Sequence, residues 1–324
     1  MLSVDARIEI FKQQFPKEKI KSVQVRQGSD HEVIEINHIW MCKSAKEEQG
    51  IAALAQEARV LKLLEGKIST KIPVPVYVSD NFLVYKKIAG SPLIPYAFYR
   101  FGAKTQSRLI FGVAQFLHEL HNALTQEEIA FLDIKPTDWP WSVEKLESLR
   151  PLLQDNQMMV DVFDSIMKVY KEERSAVYMP ALIHNDIAFS NIIVDPLTGK
   201  LHGIIDFTDV AYDDPAFDFR LRRENPVGYA RSVATAHAMI TGMPINIQKF
   251  YAYYFATEFS RYFQYVQADK LQEAKVVFQE LVRAIHDFLI GCDCVDGKGS
   301  CSKPALDEMP VVATSMSQET QQVI

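Results

Sequence analysis

Residues 182–209 read LIHNDIAFSNIIVDPLTGKLHGIIDFTD, and this stretch decides the fold. Two apolar runs, Ile192–Val194 and 204–205, flank a segment carrying Asp195, Pro196 and Gly199. Short apolar runs separated by turn formers of this kind read as a β-hairpin, with strands over 191–194 and 201–206. Polar residues mark its open end. Asn191 precedes the outgoing strand, Asp206 closes the returning one, and Asp186 lies on the entering loop. A hairpin sets its two ends side by side, so these groups are expected to converge at the mouth of an apolar platform.

That grouping has a chemistry. Carboxylate and amide oxygens suit Mg²⁺, a hard cation that retains waters and is completed by substrate phosphates. Zinc is not indicated, because His184 and His202 have no partners at zinc spacing. One Asp for the proton of an acceptor hydroxyl, with an Asn and a second Asp for metal on nucleotide phosphates, matches phosphoryl transfer.

Outward from the hairpin, the chain has 324 residues, 48% of them hydrophobic, and a formal net charge of −6. Such a chain builds a core without disulfides. The acidic balance and the absence of a long basic run argue against nucleic acid or an anionic membrane as partner. No run approaches the roughly 18 apolar residues of a membrane span, and Asp5, Arg7 and Glu9 stand where a signal peptide needs apolar residues. Cys42, Cys292, Cys294 and Cys301 suggest no disulfide framework. A soluble, cytoplasmic monomer is the expectation.

Residues 21–43 read as three short strands with turns at Gly28-Ser29-Asp30 and Asn37-His38. Ile51, Leu54, Ala58, Leu61 and Leu64 then recur at helical spacing, and a strand within 81–93 ends at Gly90-Ser91-Pro92. Helical patterns follow at Leu109–Leu120, over 142–174, through the aromatic run 250–265, and from Leu271 to Phe288. Residues 291–324 lose periodicity and read as a disordered tail.

The pattern HNDIAFSN at 184–191, IIDFTD at 204–209 and DDPAFDF at 213–219 resembles the signature of aminoglycoside phosphotransferases. These are small-molecule kinases with a protein-kinase-like fold. The resemblance spans about residues 20–290, and the segment VYKKIAG at 84–90 resembles the 2″-phosphotransferases among them. It implies an α+β bilobal fold, with a small β-rich N-terminal lobe over 1–88 and a larger, mainly helical lobe over 89–290. Asp186 would be the catalytic base, and Asn191 and Asp206 the Mg²⁺ ligands. Asp214 and Asp218 occupy positions that in the family mostly brace the catalytic loop.

A kinase also needs a cation on the nucleotide phosphates and a carboxylate to hold it. Lys43 at the end of the third strand and Glu57 in the following helix have that order, although Lys46, Glu47, Glu48 and Lys62 are nearby. Gly28 and Ser29 would cover the phosphates. Backbone groups of Tyr85, Lys86 and Ile88 would meet the purine of ATP or GTP, with the Tyr85 ring restricting the base pocket.

An aminoglycoside acceptor calls for carboxylates, and Asp214, Glu224 and Glu258 are the candidates. Arg220, Arg222 and Arg223 cut across that pattern. They would repel a polycation if they face the cleft, and a solvated helical face is the alternative. Acceptors bearing a carboxylate or phosphate therefore stay open, as do other hydroxylated metabolites such as amino alcohols, sugars and amino acids. A kinase-fold protein that binds nucleotide without transfer is a different class. His118 and His121 have metal-pair spacing, against the commoner reading as surface or capping residues.

Overall fold

Period-two alternation along three strands sets up the first layer. The structure, a computed structural model, describes residues 3–27, 31–79, 81–220, 228–244 and 246–289. Helix α1 (Val4–Gln14), capped by Ser3, precedes β1 (Val23–Gln27), β2 (His31–Ile36) and β3 (Trp40–Ala45). Asn37 and His38 take φ of 56° and 58°, the two left-handed central residues of a tight turn closed by Ile39 N–H to the Ile36 carbonyl. The turn expected at Gly28-Ser29-Asp30 lies outside the described residues.

After α2 (Gln49–Leu64), β4 (Pro75–Val78) and β5 (Phe82–Lys86) complete an antiparallel sheet in the order β1-β2-β3-β5-β4. Trp40, Cys42, Phe82 and Val84 point to one face and pack with Phe11 of α1. Met41, Leu83 and Tyr85 point to the other, against Leu54 and Ala58 of α2. Lys43, two residues beyond Met41, thereby falls on the α2 face.

A second, helical lobe follows. Its elements are β6 (Ser91–Pro92), α3 (Pro95–Arg100), α4 (Ala103–His121), α5 (Gln126–Leu132), α6 (Val143–Leu149), α7 (Gln157–Ser175), β7 (Ala181–Ile183), β8 (Ile192–Val194), β9 (Leu201–Ile204), β10 (Ala211–Asp213), α8 (Tyr229–Thr241), α9 (Ile247–Gln267) and α10 (Leu271–Leu289). The helix expected over 142–174 is broken by a short 3₁₀ turn at Arg150–Leu153, where Pro151 removes a backbone donor. Leu109, Val113, Phe116, Leu117 and Leu120 form the buried stripe of α4, packed in one core with β8, β9 and α8. A second core joins α7, α9 and α10. Among the described residues, no helix is long and apolar enough to cross a membrane.

The hairpin is present, slightly shorter than its apolar pattern. β8 pairs with β9 through Ile192↔Ile204, and β6 joins the other edge of β8. Asn191 ends a 3₁₀ turn rather than opening the strand, and β9 stops at Ile204 because Asp206 turns to φ 69°. The polar ends therefore lie in irregular backbone just past the strands, joined by one further rung in which Ile205 N–H donates to the Asn191 carbonyl at 2.9 Å. Gly203 admits the close approach of the segment before β4, since a Cβ there would stand 2.6 Å from the Lys71 carbonyl oxygen.

Candidate active site

Two groups of side chains meet between the sheet and the hairpin. The first is centred on Lys43. Its ammonium lies 3.0 and 2.9 Å from the two Glu57 oxygens, 2.7 Å from Asp206 Oδ1 and 2.6 Å from Thr208 Oγ1. Lys43 is 5% exposed and Glu57 1%. Burial works against the ammonium, but the Glu57 and Asp206 carboxylates outweigh it and hold its pKa well above the ordinary lysine value. Burial likewise opposes ionisation of Asp206, yet Lys43 and the Thr208 hydroxyl bring its pKa down to about 2. The backbone N–H of Phe207 donates to Glu57 Oε1, so the helix α2 carboxylate also holds the turn after β9.

The second group is the loop from His184 to Asn191. Asn191 Nδ2 donates to Asp186 Oδ2 at 2.7 Å and to the Asp186 carbonyl at 2.9 Å. His184 is fully buried and packs on Phe207, with ring centroids 4.7 Å apart. Its Nε2 lies 3.1 Å from the Ile205 carbonyl, while Asp186 N–H donates to its Nδ1 at 3.3 Å. A neutral imidazole protonated on Nε2 satisfies both contacts.

Asp218 braces this loop from below. Its oxygens accept the backbone N–H groups of His184 and Asn185, and His121 Nε2 stands 2.9 Å away. Asn185 has φ 66°, and Arg220 donates to both its side-chain and its carbonyl oxygen. The loop ahead of Asp186 is thus fixed at several backbone atoms by buried charged groups.

Other expected contacts fall elsewhere. Asp214 is 2% exposed, accepts from Ala216 N–H and Tyr253 OH, and pairs with Lys249 at 2.6 Å. Glu258 is also 2% exposed, with Arg261 at 3.3 Å. Buried carboxylates committed to internal partners are not open to a substrate ammonium, so the expectation of substrate contacts at Asp214 and Glu258 does not fit these placements. Glu224, Gly28, Ser29, Arg222, Arg223 and the tail 291–324 lie outside the described residues. Arg220 is not on a solvated helical face: it turns inward onto Asn185 and lines the cavity beside it. His121 is bound to Asp218 rather than at the surface. Among the described residues no group of three or more His, Cys, Asp or Glu is placed to hold a metal by itself.

The family model of the phosphotransferase enzyme family matches residues 24–237, from the first strand of the sheet through the His184–Asn191 loop to α8. The chain belongs to that family. This phosphotransferase has no match among the curated proteins searched. Solved structures share its fold. A mutant of aminoglycoside 2'-phosphotransferase-IIIa in complex with GDP superposes with a TM-score of 0.75, at 23% identity over 88% of this chain and 98% of that one. The GDP and kanamycin complex of APH(2")-IIIa gives 0.72, at 23% identity over 86% and 97%. Macrolide 2'-phosphotransferase type I gives 0.62, at 13% identity over 86% and 98%.

Sequence reasoning missed two parts of this candidate site. Thr208 occupies an unremarkable position in IIDFTD, and only the fold shows its hydroxyl within reach of Lys43, Glu57 and Asp206. The Arg220 clamp had one available signal, its place directly after Phe219 in a buried 3₁₀ turn.

Proposed function

We propose that the chain transfers the γ-phosphoryl group of ATP or GTP to a hydroxyl of a small molecule, with Mg²⁺ on the nucleotide phosphates. The observation that carries this reading is the pairing of Asp186 with Asn191 on one side and Lys43 with Glu57 and Asp206 on the other.

In this reading the Lys43 ammonium, oriented by Glu57, meets the phosphate oxygens. Asp186, held by Asn191, accepts the proton of the acceptor hydroxyl. The residues fit Mg²⁺: the Asn191 amide nitrogen is used on Asp186, and its oxygen would be the metal ligand. Asp206 receives its contacts on Oδ1 and is ionised at neutral pH. Two protein oxygens suffice where phosphates and waters complete the shell. When bound, Mg²⁺ would neutralise charge on the β- and γ-phosphates.

The purine side is supported by the strand pattern. Lys87 N–H bonds Ile39 O toward β3, so the neighbouring Lys86 and Ile88 backbone groups face the other way, beyond the start of β4 at Pro75. The Tyr85 ring packs beside Leu54 and Ala58 and narrows the space near Lys43.

Two acceptor classes follow from the sequence. The neighbour solved with kanamycin supports an aminoglycoside. The burial of Asp214 and Glu258 supports another hydroxylated metabolite, because two of the carboxylates expected to meet a polycation are engaged internally. Labelled γ-phosphate transfer from ATP and from GTP with Mg²⁺, across aminoglycosides and hydroxylated metabolites, tests the reading. Labelled product from at least one acceptor is expected. Stabilisation by neither nucleotide, together with no transfer to any acceptor, would contradict it.

A further inference from the structure

A cavity of about 410 Å³ opens beside the catalytic loop, with Trp139, Asn185, Asp209, Arg220 and Arg261 in its wall. Asn185, the residue before Asp186, and Thr208, whose hydroxyl meets Lys43 and Asp206, both line it, so the cavity adjoins the candidate site.

The charge in this wall is unusual. Arg220 is 4% exposed, and its guanidinium donates to Asn185 Oδ1 at 2.7 Å, Asn185 O at 2.6 Å and Phe217 O at 3.2 Å. All three acceptors are neutral oxygens. Its Nε is buried and has no hydrogen-bond partner. Burial dominates its electrostatics and draws its pKa down to about 10, while the Asp218, Asp209 and Glu258 carboxylates oppose the fall. Arg261, paired with Glu258 at 3.3 Å, adds a second guanidinium to the same wall and further disfavours the charge of Arg220. A buried cation whose direct hydrogen-bond acceptors are all neutral is costly, and an anionic ligand relieves that cost. A polyamine ligand would increase it. Asp138, also in the wall, suits a hydroxyl donor elsewhere on the same molecule.

We infer that the acceptor is a hydroxylated carboxylate, with its carboxylate received by the Arg220 and Arg261 side of this cavity and its hydroxyl directed to Asp186. The assignment rests on the proposed kinase reading. In the transfer, the acceptor oxygen forms the new bond to the γ-phosphorus as the bond to the β-bridging oxygen breaks. The nucleoside diphosphate leaves, and the hydroxyl proton passes to Asp186. Guanidinium groups match a carboxylate in geometry as well as charge.

The test uses the full chain with Mg²⁺ and ADP or GDP, titrated with four probes on one scaffold: glycerate, glycerol 3-phosphate, glyceramide and 3-amino-1,2-propanediol. Melting temperature is the readout, since ligands that bind the native state raise it. Stabilisation by nucleotide and Mg²⁺ alone reports on the kinase reading separately from the probes. Glycerate is expected to stabilise, and the amide and amine are not. Arg261→Met should weaken the apparent glycerate affinity by about tenfold or more, and Arg261→Lys by less. Arg220→Met is the less useful variant because Arg220 also holds the loop. The assignment is overturned if neither anion stabilises, if the amine stabilises as well as glycerate, or if Arg261→Met leaves the glycerate response intact. Binding of glycerol 3-phosphate about tenfold tighter than glycerate would overturn the carboxylate in favour of a phosphate group.

Discussion

The Lys43 ammonium sits 2.9 Å from Glu57 Oε2, with both side chains almost entirely removed from solvent. This pair joins strand β3 to helix α2, and through Asp206 it joins the sheet to the hairpin. A cation in this position has been taken out of water and depends on its carboxylates. Glu57→Gln should therefore cost about 1.5–3 kcal/mol of stability, the value of a charged hydrogen bond. It should also raise KM for the nucleotide, because Lys43 loses its fixed orientation. Urea denaturation and nucleotide-dependent initial rates check the two effects.

Asp218→Asn is expected to lower kcat more than it raises KM for either substrate. An amide cannot accept both loop N–H groups and face His121 as the carboxylate does, so at least one buried donor is left unsatisfied. The cost in stability is about 1–3 kcal/mol. A variant with wild-type kcat would show that the loop geometry does not depend on this anchor.

Stability should fall as pH drops from 6.5 toward 4. Burial, with His121 and His118 nearby, lowers the His237 pKa to about 4 against an ordinary value of 6.5, while Asp218 opposes the shift. The unfolded chain then binds more protons in that window than the folded one, so the stabilisation present above pH 6.5 is lost as pH falls through 4. His237→Gln should flatten the dependence between pH 6.5 and 4. Asp206, with its pKa near 2, adds a further loss only below about pH 4. Denaturation midpoints measured across this range separate the two.

The fold was legible from the hairpin because its apolar strands and turn formers agree with its polar ends, and from the sheet because its alternation is regular. The pairing of Lys43 with Glu57 was legible too, as strand order followed by helix order. Less was legible where a residue's role depends on a tertiary partner. Arg220 looks like a solvated charge beside Arg222 and Arg223, yet a 3₁₀ turn sends it inward to Asn185. Asp214 looks like a free carboxylate until Lys249 and Tyr253, both on α9, are brought to it. Local pattern carries period and turns, and it does not carry which distant helix supplies the counter-charge.

Gly203→Ala should lower the urea midpoint, at a cost of about 1–3 kcal/mol. The added Cβ would meet the Lys71 carbonyl at 2.6 Å and the Ile88 side chain at 2.8 Å. The Lys71 carbonyl cannot readily withdraw because it accepts the Ile204 N–H at 3.0 Å. An unchanged midpoint would mean that the segment before β4 moves away at little cost.

The central claim is that Asp186 takes the acceptor proton while Lys43, Asn191 and Asp206 serve the nucleotide. The most direct measurement compares Asp186→Asn with the wild type for γ-phosphoryl transfer, alongside nucleotide binding with Mg²⁺ by thermal shift. Transfer should fall by about 10²- to 10⁴-fold, with nucleotide-driven stabilisation largely retained. Wild-type transfer by the variant would contradict the account.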